Sequence, residues 1–202
     1  LNIIKLPQAY ELFIVYETNN TNRFQFSSQI LTGKTGLYEQ FYEAEFNPGY
    51  QFGDNLNLQL GLNYRKSKSW LVWLENNDIG EFKQKEFSYS LNLSWKFRER
   101  HELRWKMESV SLNASIKDQY VANIDGLLTP ITQTTEDFQL NEFAMQIRYR
   151  YEIGPLSEVF IVYGRGGEAE KEGNDHSNNI SYFNPKSSKD SESLLAKIKF
   201  RF

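Results

Sequence analysis

The chain has 202 residues, a formal net charge of -3 and no cysteine. That excludes disulfides, thiolate metal sites, cysteine nucleophiles and the basic footprint of a nucleic-acid binder. Its mean hydropathy is -0.61, and no stretch approaches the ~20 apolar residues of a membrane-spanning helix, although membrane strands escape that test because every second residue faces a lumen.

From the N-terminus, the start at Leu1 fits cleavage of a leader or a fragment of a longer chain. Period-two alternation predicts strands near 10–17, 23–32 and 37–52, the last two joined by the turn Gly33-Lys34-Thr35-Gly36. After Gly53-Asp54-Asn55 a strand over 55–65 sets Leu56, Leu58, Leu60, Leu62 and Tyr64 against Asn57, Gln59, Asn63 and Arg65. Residues 66–83 read as a long loop, although Trp70, Val72 and Trp73 make 68–75 a candidate strand inside it. The clearest strand is 84–97, with Phe87, Tyr89, Leu91, Leu93, Trp95 and Phe97 on one parity and Ser88, Ser90, Asn92, Ser94 and Lys96 on the other.

The turn 98–101 leads into a strand over 101–116 whose apolar parity slips. Leu103, Trp105 and Met107 share one phase; Val110, Leu112, Ala114 and Ile116 take the other. The slip near Glu108 and Ser109 predicts a β-bulge, with a strand leaving the membrane there as the alternative. A loop over 117–137 precedes a strand at 138–153, where Phe143, Met145, Ile147, Tyr149 and Tyr151 alternate with Glu142, Gln146, Arg148, Arg150 and Glu152. The turn Gly154-Pro155-Leu156-Ser157, a strand over 157–164 and a polar loop over 165–189 follow.

The last strand, 190–202, places Leu194, Ala196, Ile198, Phe200 and Phe202 on one face and Lys197, Lys199 and Arg201 on the other. An apolar alternation closed by Phe resembles the β-signal of outer-membrane barrels. Counted back from Phe202, nearly every short turn falls on one side of the membrane and every long loop on the other, the barrel pattern of periplasmic turns and extracellular loops. The 33–36 turn is the exception. Nine strands leave an unpaired edge in lipid, so either upstream strands are missing from the chain or one strand is unrecognised.

Three segments together resemble a known family. They are Phe87–Arg104 with its Leu-Asn-Leu-Ser-Trp-Lys-Phe core, Gln146–Tyr163, and the closing Leu-Leu-Ala-Lys-Ile-Lys-Phe-Arg-Phe. They look like the C-terminal end of an envelope-protein family common in Bacteroidota, which carries a carbohydrate-binding-like sandwich followed by a membrane barrel domain of unknown function. The resemblance implies a barrel and brings no catalytic residues.

Chemical motifs are sparse. His101 and His176 fall in segments expected to be solvated, and the acidic residues around Asp175 lack the repeating oxygen spacing of a calcium loop. Glu43 and Glu45, two apart, fit a lumen-facing pattern better than a hydrolase dyad. Gly164-Arg-Gly-Gly167 is not followed by a helical pattern, so a phosphate loop is not expected. Trp95 and Trp105 flank the 98–101 turn and, with Tyr149 and Tyr151, are expected to form an interfacial girdle. Lys96, Arg98, Arg104, Lys106, Arg148, Arg150, Lys197, Lys199 and Arg201 share the polar parity. They are expected to point inward and to fill the lumen with ion pairs to Glu102, Glu108, Glu142 and Glu152; the functional alternative is a positive vestibule for anions or an acidic periplasmic partner.

The sequence thus reads as all-β, an antiparallel transmembrane β-barrel forming the C-terminal portion of a larger one. The expected role is an outer-membrane anchor or scaffold, or a component of a pore, transport or assembly complex, without catalysis, cofactor or metal. Its expected partners are outer-membrane lipid, the barrel-assembly machinery through the C-terminal strand, and a larger envelope complex, with no nucleic acid. The alternative from another class is a soluble secreted β-sandwich that binds glycans through exposed aromatics.

Overall fold

The computed structural model describes residues 3–19, 21–173 and 190–201, leaving Phe202, His176 and most of the 165–189 segment outside the described residues. The described chain is all strand: β1 (Tyr10–Glu17), β2 (Phe24–Thr35), β3 (Glu39–Phe52), β4 (Leu56–Trp73), β5 (Asp78–Phe97), β6 (His101–Ala122), β7 (Leu128–Ile131), β8 (Phe138–Gly154), β9 (Ser157–Glu172) and β10 (Ser191–Lys199). They form one antiparallel sheet in the order β1-β2-β3-β4-β5-β6-β8-β9-β10, with β7 attached to β6 off this path. Among the described residues β1 pairs with β2 alone and β10 with β9 alone, so the sheet is not closed into a barrel. Among the described residues no second sheet stacks on it.

Each strand on the main path coincides with one expected from alternation, but several run further. Residues 68–73 of the candidate strand 68–75 belong to the end of β4, and most of the expected 66–83 loop is the distal β4–β5 hairpin, turning at 74–77. The segment 117–137 holds the end of β6 and the short β7, the strand that alternation did not reveal. β9 likewise runs on to Glu172, eight residues past its expected end.

The expected bulge at Glu108 and Ser109 is absent. Ser90 pairs with Glu108 and Tyr89 with Ser109 on one side; Ala144 and Phe143 pair with the same two residues on the other. The ladder is regular, so the parity slip is an exchange of which face is apolar. Two register shifts lie further along, where Ser67 and Trp70 of β4 oppose Gln84 and Phe82, and where β6 passes from Ile116 to Asp118 against Phe82 and Glu81, and a third lies between Glu152 and Gly154 beside the β8–β9 turn. Each leaves extra residues unpaired, the defining feature of a bulge.

The exchange divides the sheet into two zones. Opposed residues of paired strands share a face. Near the 98–100 turn, one face carries Leu93, Trp105 and Ile147, and the other Ser94, Arg104 and Arg148. Toward the 74–77 turn the first face carries Lys66, Lys85 and Asn113, and the second carries Trp70, Phe82, Ile116 and Phe138. The buried apolar residues gather in this distal zone, with Phe41, Phe82 and Ala114 almost wholly buried. The rings of Trp70, Phe82 and Phe138 lie 5.2–6.2 Å apart, spacings typical of packed aromatic cores. At the β2–β3 turn, Gly36 has φ +60°, and a side chain there would collide with Ser69, whose hydroxyl accepts from the Leu37 N–H at 3.1 Å. This ties the short turn to the β4 bulge.

Candidate functional site

Two surfaces of the proximal zone carry the chemistry. The apolar one is continuous across the sheet. Its rows include Tyr50, Leu58, Leu93, Trp105, Ile147, Tyr163 and Leu194, then Leu56, Trp95, Leu103, Tyr149, Ile161 and Ala196. On β5 the face persists from Phe87 to Phe97. Much of it meets solvent: Ile14 and Leu194 are each 74% exposed and Ile198 is 69% exposed.

The four expected girdle aromatics share this face, though not in the expected manner. Trp95 is exposed and packs 4.8 Å from Phe97. The Trp105 indole N–H is buried without a partner, whereas a girdle indole keeps its N–H in water. Tyr149 and Tyr151 gather around His101, whose Nδ1 lies 2.7 Å from the Tyr149 hydroxyl and whose ring centroid is 4.7 Å from that of Tyr151. His101 is therefore a half-buried member of the aromatic cluster and not a solvated turn residue.

Of the expected β-signal, Leu194, Ala196 and Ile198 lie in β10 on the apolar face, Phe200 lies just past its end, and Phe202 is outside the described residues. β10 is exposed along its whole length, as is β1 at the opposite edge.

The polar surface is unevenly charged. Across β2–β5 it is mainly neutral, with Gln25, Ser27, Asn47, Gln59, Ser90 and Asn92. Arg65 pairs there with Glu43 at 3.2 Å, and Asn47 donates to Glu45, so the two glutamates serve separate contacts. Across β5–β10 it turns cationic. One row runs Lys96, Glu102, Arg150, Phe160, Lys197; the next Ser94, Arg104, Arg148, Val162, Leu195; the third Asn92, Lys106, Gln146, Gly164, Ser193. Lys96, Arg104, Lys106, Arg148, Arg150 and Lys197 thus face a single carboxylate within these rows.

Buried Glu102 bridges Arg104 at 2.6 Å and Arg150 at 3.5 Å, and Arg150 also reaches Glu158 in the adjoining row at 2.9 Å. Among the described residues no carboxylate lies within salt-bridge distance of Lys96, Lys106, Arg148, Lys197 or Lys199. The expected filling of this face by ion pairs is only partial. Arg98 does not belong to the face: it sits in the β5–β6 turn with φ 59°. Arg201 lies beyond β10, its backbone N–H donating to Ser157 Oγ at 3.1 Å.

Two of these cations, Arg148 and Lys197, line a depression of about 570 Å³ together with the paired Glu102, Arg104 and Arg150 and the apolar Phe160, Val162 and Leu195. Sequence reasoning passed over these three because they sit on the polar parity; the adjacent pairs Val159-Phe160 and Leu194-Leu195 were the available signal. Gly164, Gly166 and Gly167 lie within β9 and form no phosphate-binding loop. Among the described residues no cluster of His, Cys, Asp or Glu could hold a metal ion.

A second charged cluster, in the distal zone, was not expected. Glu81 is almost wholly buried. It accepts from Lys117 Nζ at 3.1 Å and from the Tyr120 hydroxyl at 3.2 Å, while Lys117 also reaches Glu39 at 3.3 Å. Burial, then the charges of Glu81 and Asp118, push the Tyr120 hydroxyl up to about 12. Burial works to lower Lys117, but its bonds to Glu81 and Glu39 outweigh it, and the ammonium is held above its usual value.

None of the curated proteins compared matches the chain. A family model does, and it spans nearly every strand of the sheet, from residue 2 to residue 197. This all-strand chain belongs to the family described as Domain of unknown function (DUF5916).

Proposed function

We propose that this chain forms part of the wall of an outer-membrane β-barrel and serves as a membrane anchor or scaffold, without catalysis. The observation that carries the reading is the unbroken apolar face of the proximal zone, which no second layer of protein covers among the described residues. A soluble sandwich would bury such a face against a second sheet. Phe87 and Phe97 are ten residues apart, and at ~3.3 Å per residue and ~40° tilt this gives about 25 Å, the height of a barrel's apolar band. In this reading the distal zone stands clear of the bilayer, which is why its outward face turns polar there. β1 and β10 are joined to each other, directly or through further strands, because an open edge in lipid leaves backbone groups unsatisfied.

The test is tryptophan quenching in vesicles of brominated lipid. Trp95 and Trp105 should be quenched strongly and Trp70, inside the distal aromatic core, weakly, as read from variants that each retain one of these tryptophans. Extraction of the native protein into buffer without detergent, with no quenching, would return the chain to the soluble class.

A further inference from the structure

We infer that the cationic depression on the polar face is a binding site for an amphipathic anion, an acidic head group carrying an apolar chain. The first argument is a cost that the fold relieves on one side only. Arg104 and Arg148 are directly opposed across β6 and β8 on one face, and like charges so placed destabilise a sheet. Arg104 is relieved by Glu102 at 2.6 Å. The Arg148 guanidinium has only a neutral partner, donating from Nε to Gln146 Oε1 at 2.6 Å. Lys197 lies on the same depression without a carboxylate. Two cations left uncompensated beside a satisfied pair make a receptor for an added anion, and a guanidinium fork suits a carboxylate or phosphate.

The second argument is the floor. Phe160, Val162 and Leu195 bring apolar side chains to a face that is otherwise polar, next to those cations. A purely inorganic anion has no use for them. The depression, about 570 Å³, is of the size that holds a small ligand. Charged rim and apolar floor together select a ligand with both characters. The site is a property of one sheet face and does not rest on the membrane reading.

The test is equilibrium dialysis of radiolabelled decanoate against the purified full chain in an uncharged maltoside, with protein-free micelles as the reference. Decanoate should bind in excess of the micelles, and salt should weaken it. The double variant Arg148→Gln/Lys197→Gln should lose about tenfold in affinity, as expected for removal of charge-assisted bonds. Val162→Asn should weaken decanoate while leaving competition by inorganic phosphate unchanged. The double variant Lys66→Gln/Lys85→Gln, on the other face of the distal zone, should bind as the parent does. Equal affinity in the Arg148/Lys197 variant and the parent, or equal binding of 1-decanol, would overturn the anion site. Inorganic phosphate displacing decanoate at equal concentration would overturn its apolar half. Salt dependence in the unmodified chain keeps the test decisive should a variant fail to fold.

Discussion

Tyr120 shows how one buried carboxylate reorganises its neighbours. In the distal zone the buried Glu81 carboxylate accepts from both Lys117 and Tyr120. Burial and the nearby charges raise the folded-state value of Tyr120, and the bonds to Glu81 and Glu39 raise that of Lys117 against the opposing effect of burial, both above those of the unfolded chain. A group raised on folding contributes stability that is complete below its unfolded value and is lost as pH rises through the folded one. Stability of the distal zone should therefore hold to about pH 10 and decline between pH 10 and 12, measured by urea titration at each pH. Tyr120→Phe should cost about 1–2 kcal/mol at neutral pH through the lost bond to a charged acceptor, and should flatten the alkaline decline. An unchanged decline in the variant would assign it to other groups.

At the scale of the element, β5 carries the alternation most plainly, and adjacent residues on it should respond in opposite ways. Leu93 lies on the apolar face, between Leu58 and Trp105; Asn92 lies on the polar face, beside Gln59 and Lys106. In a lipid-facing strand, Leu93→Arg should cost roughly 2–4 kcal/mol on reversible unfolding from vesicles. Asn92→Arg should cost about 0.5 kcal/mol or less. Equal costs would mean that neither face of β5 meets lipid. The edge strands tell a complementary story. β1 holds Leu12, Phe13, Ile14 and Val15, apolar on both parities and exposed on both. Such an edge invites pairing along its free backbone and packing on each side.

At the scale of the whole molecule, the proposed orientation follows from which hairpin ends are plain and which are elaborate. The turns at 53–55, 98–100 and 155–156 are tight and lie at the proximal end. The opposite end bears the β4–β5 extension, the bulges of β4 and β6, and β7. In barrels the short turns are periplasmic. Because the chain lacks cysteine, single-cysteine labelling reads sidedness cleanly. A cysteine replacing Asp125, in the β6–β7 connection, should react with an impermeant maleimide on intact cells. One replacing Glu99 should react only after the outer membrane is broken. The reverse pattern would invert the topology.

The amino-acid sequence by itself determined the all-strand class, the main-path strands and, within those strands, the face each side chain takes in the proximal zone. A period of two needs no tertiary information once one face is uniformly apolar. Leu91, Leu93 and Trp95 announce their face in this way, and Arg104, Arg148 and Lys197 theirs. Three things were decided only by the folded sheet. The parity slip at Glu108 was ambiguous, since a bulge and an exchange of apolar face give the same local pattern, and only pairing with both neighbours separates them. The strand ends over 66–83 were hidden because the bulge at 68–69 breaks the period and the polarity of the faces inverts there. The candidate anion site was hidden because its parts, Arg104, Arg148, Phe160, Val162, Leu195 and Lys197, come from four strands. Only cross-strand register, a long-range property, brings them onto one depression, leaves Arg148 without a carboxylate and sets it opposite another arginine.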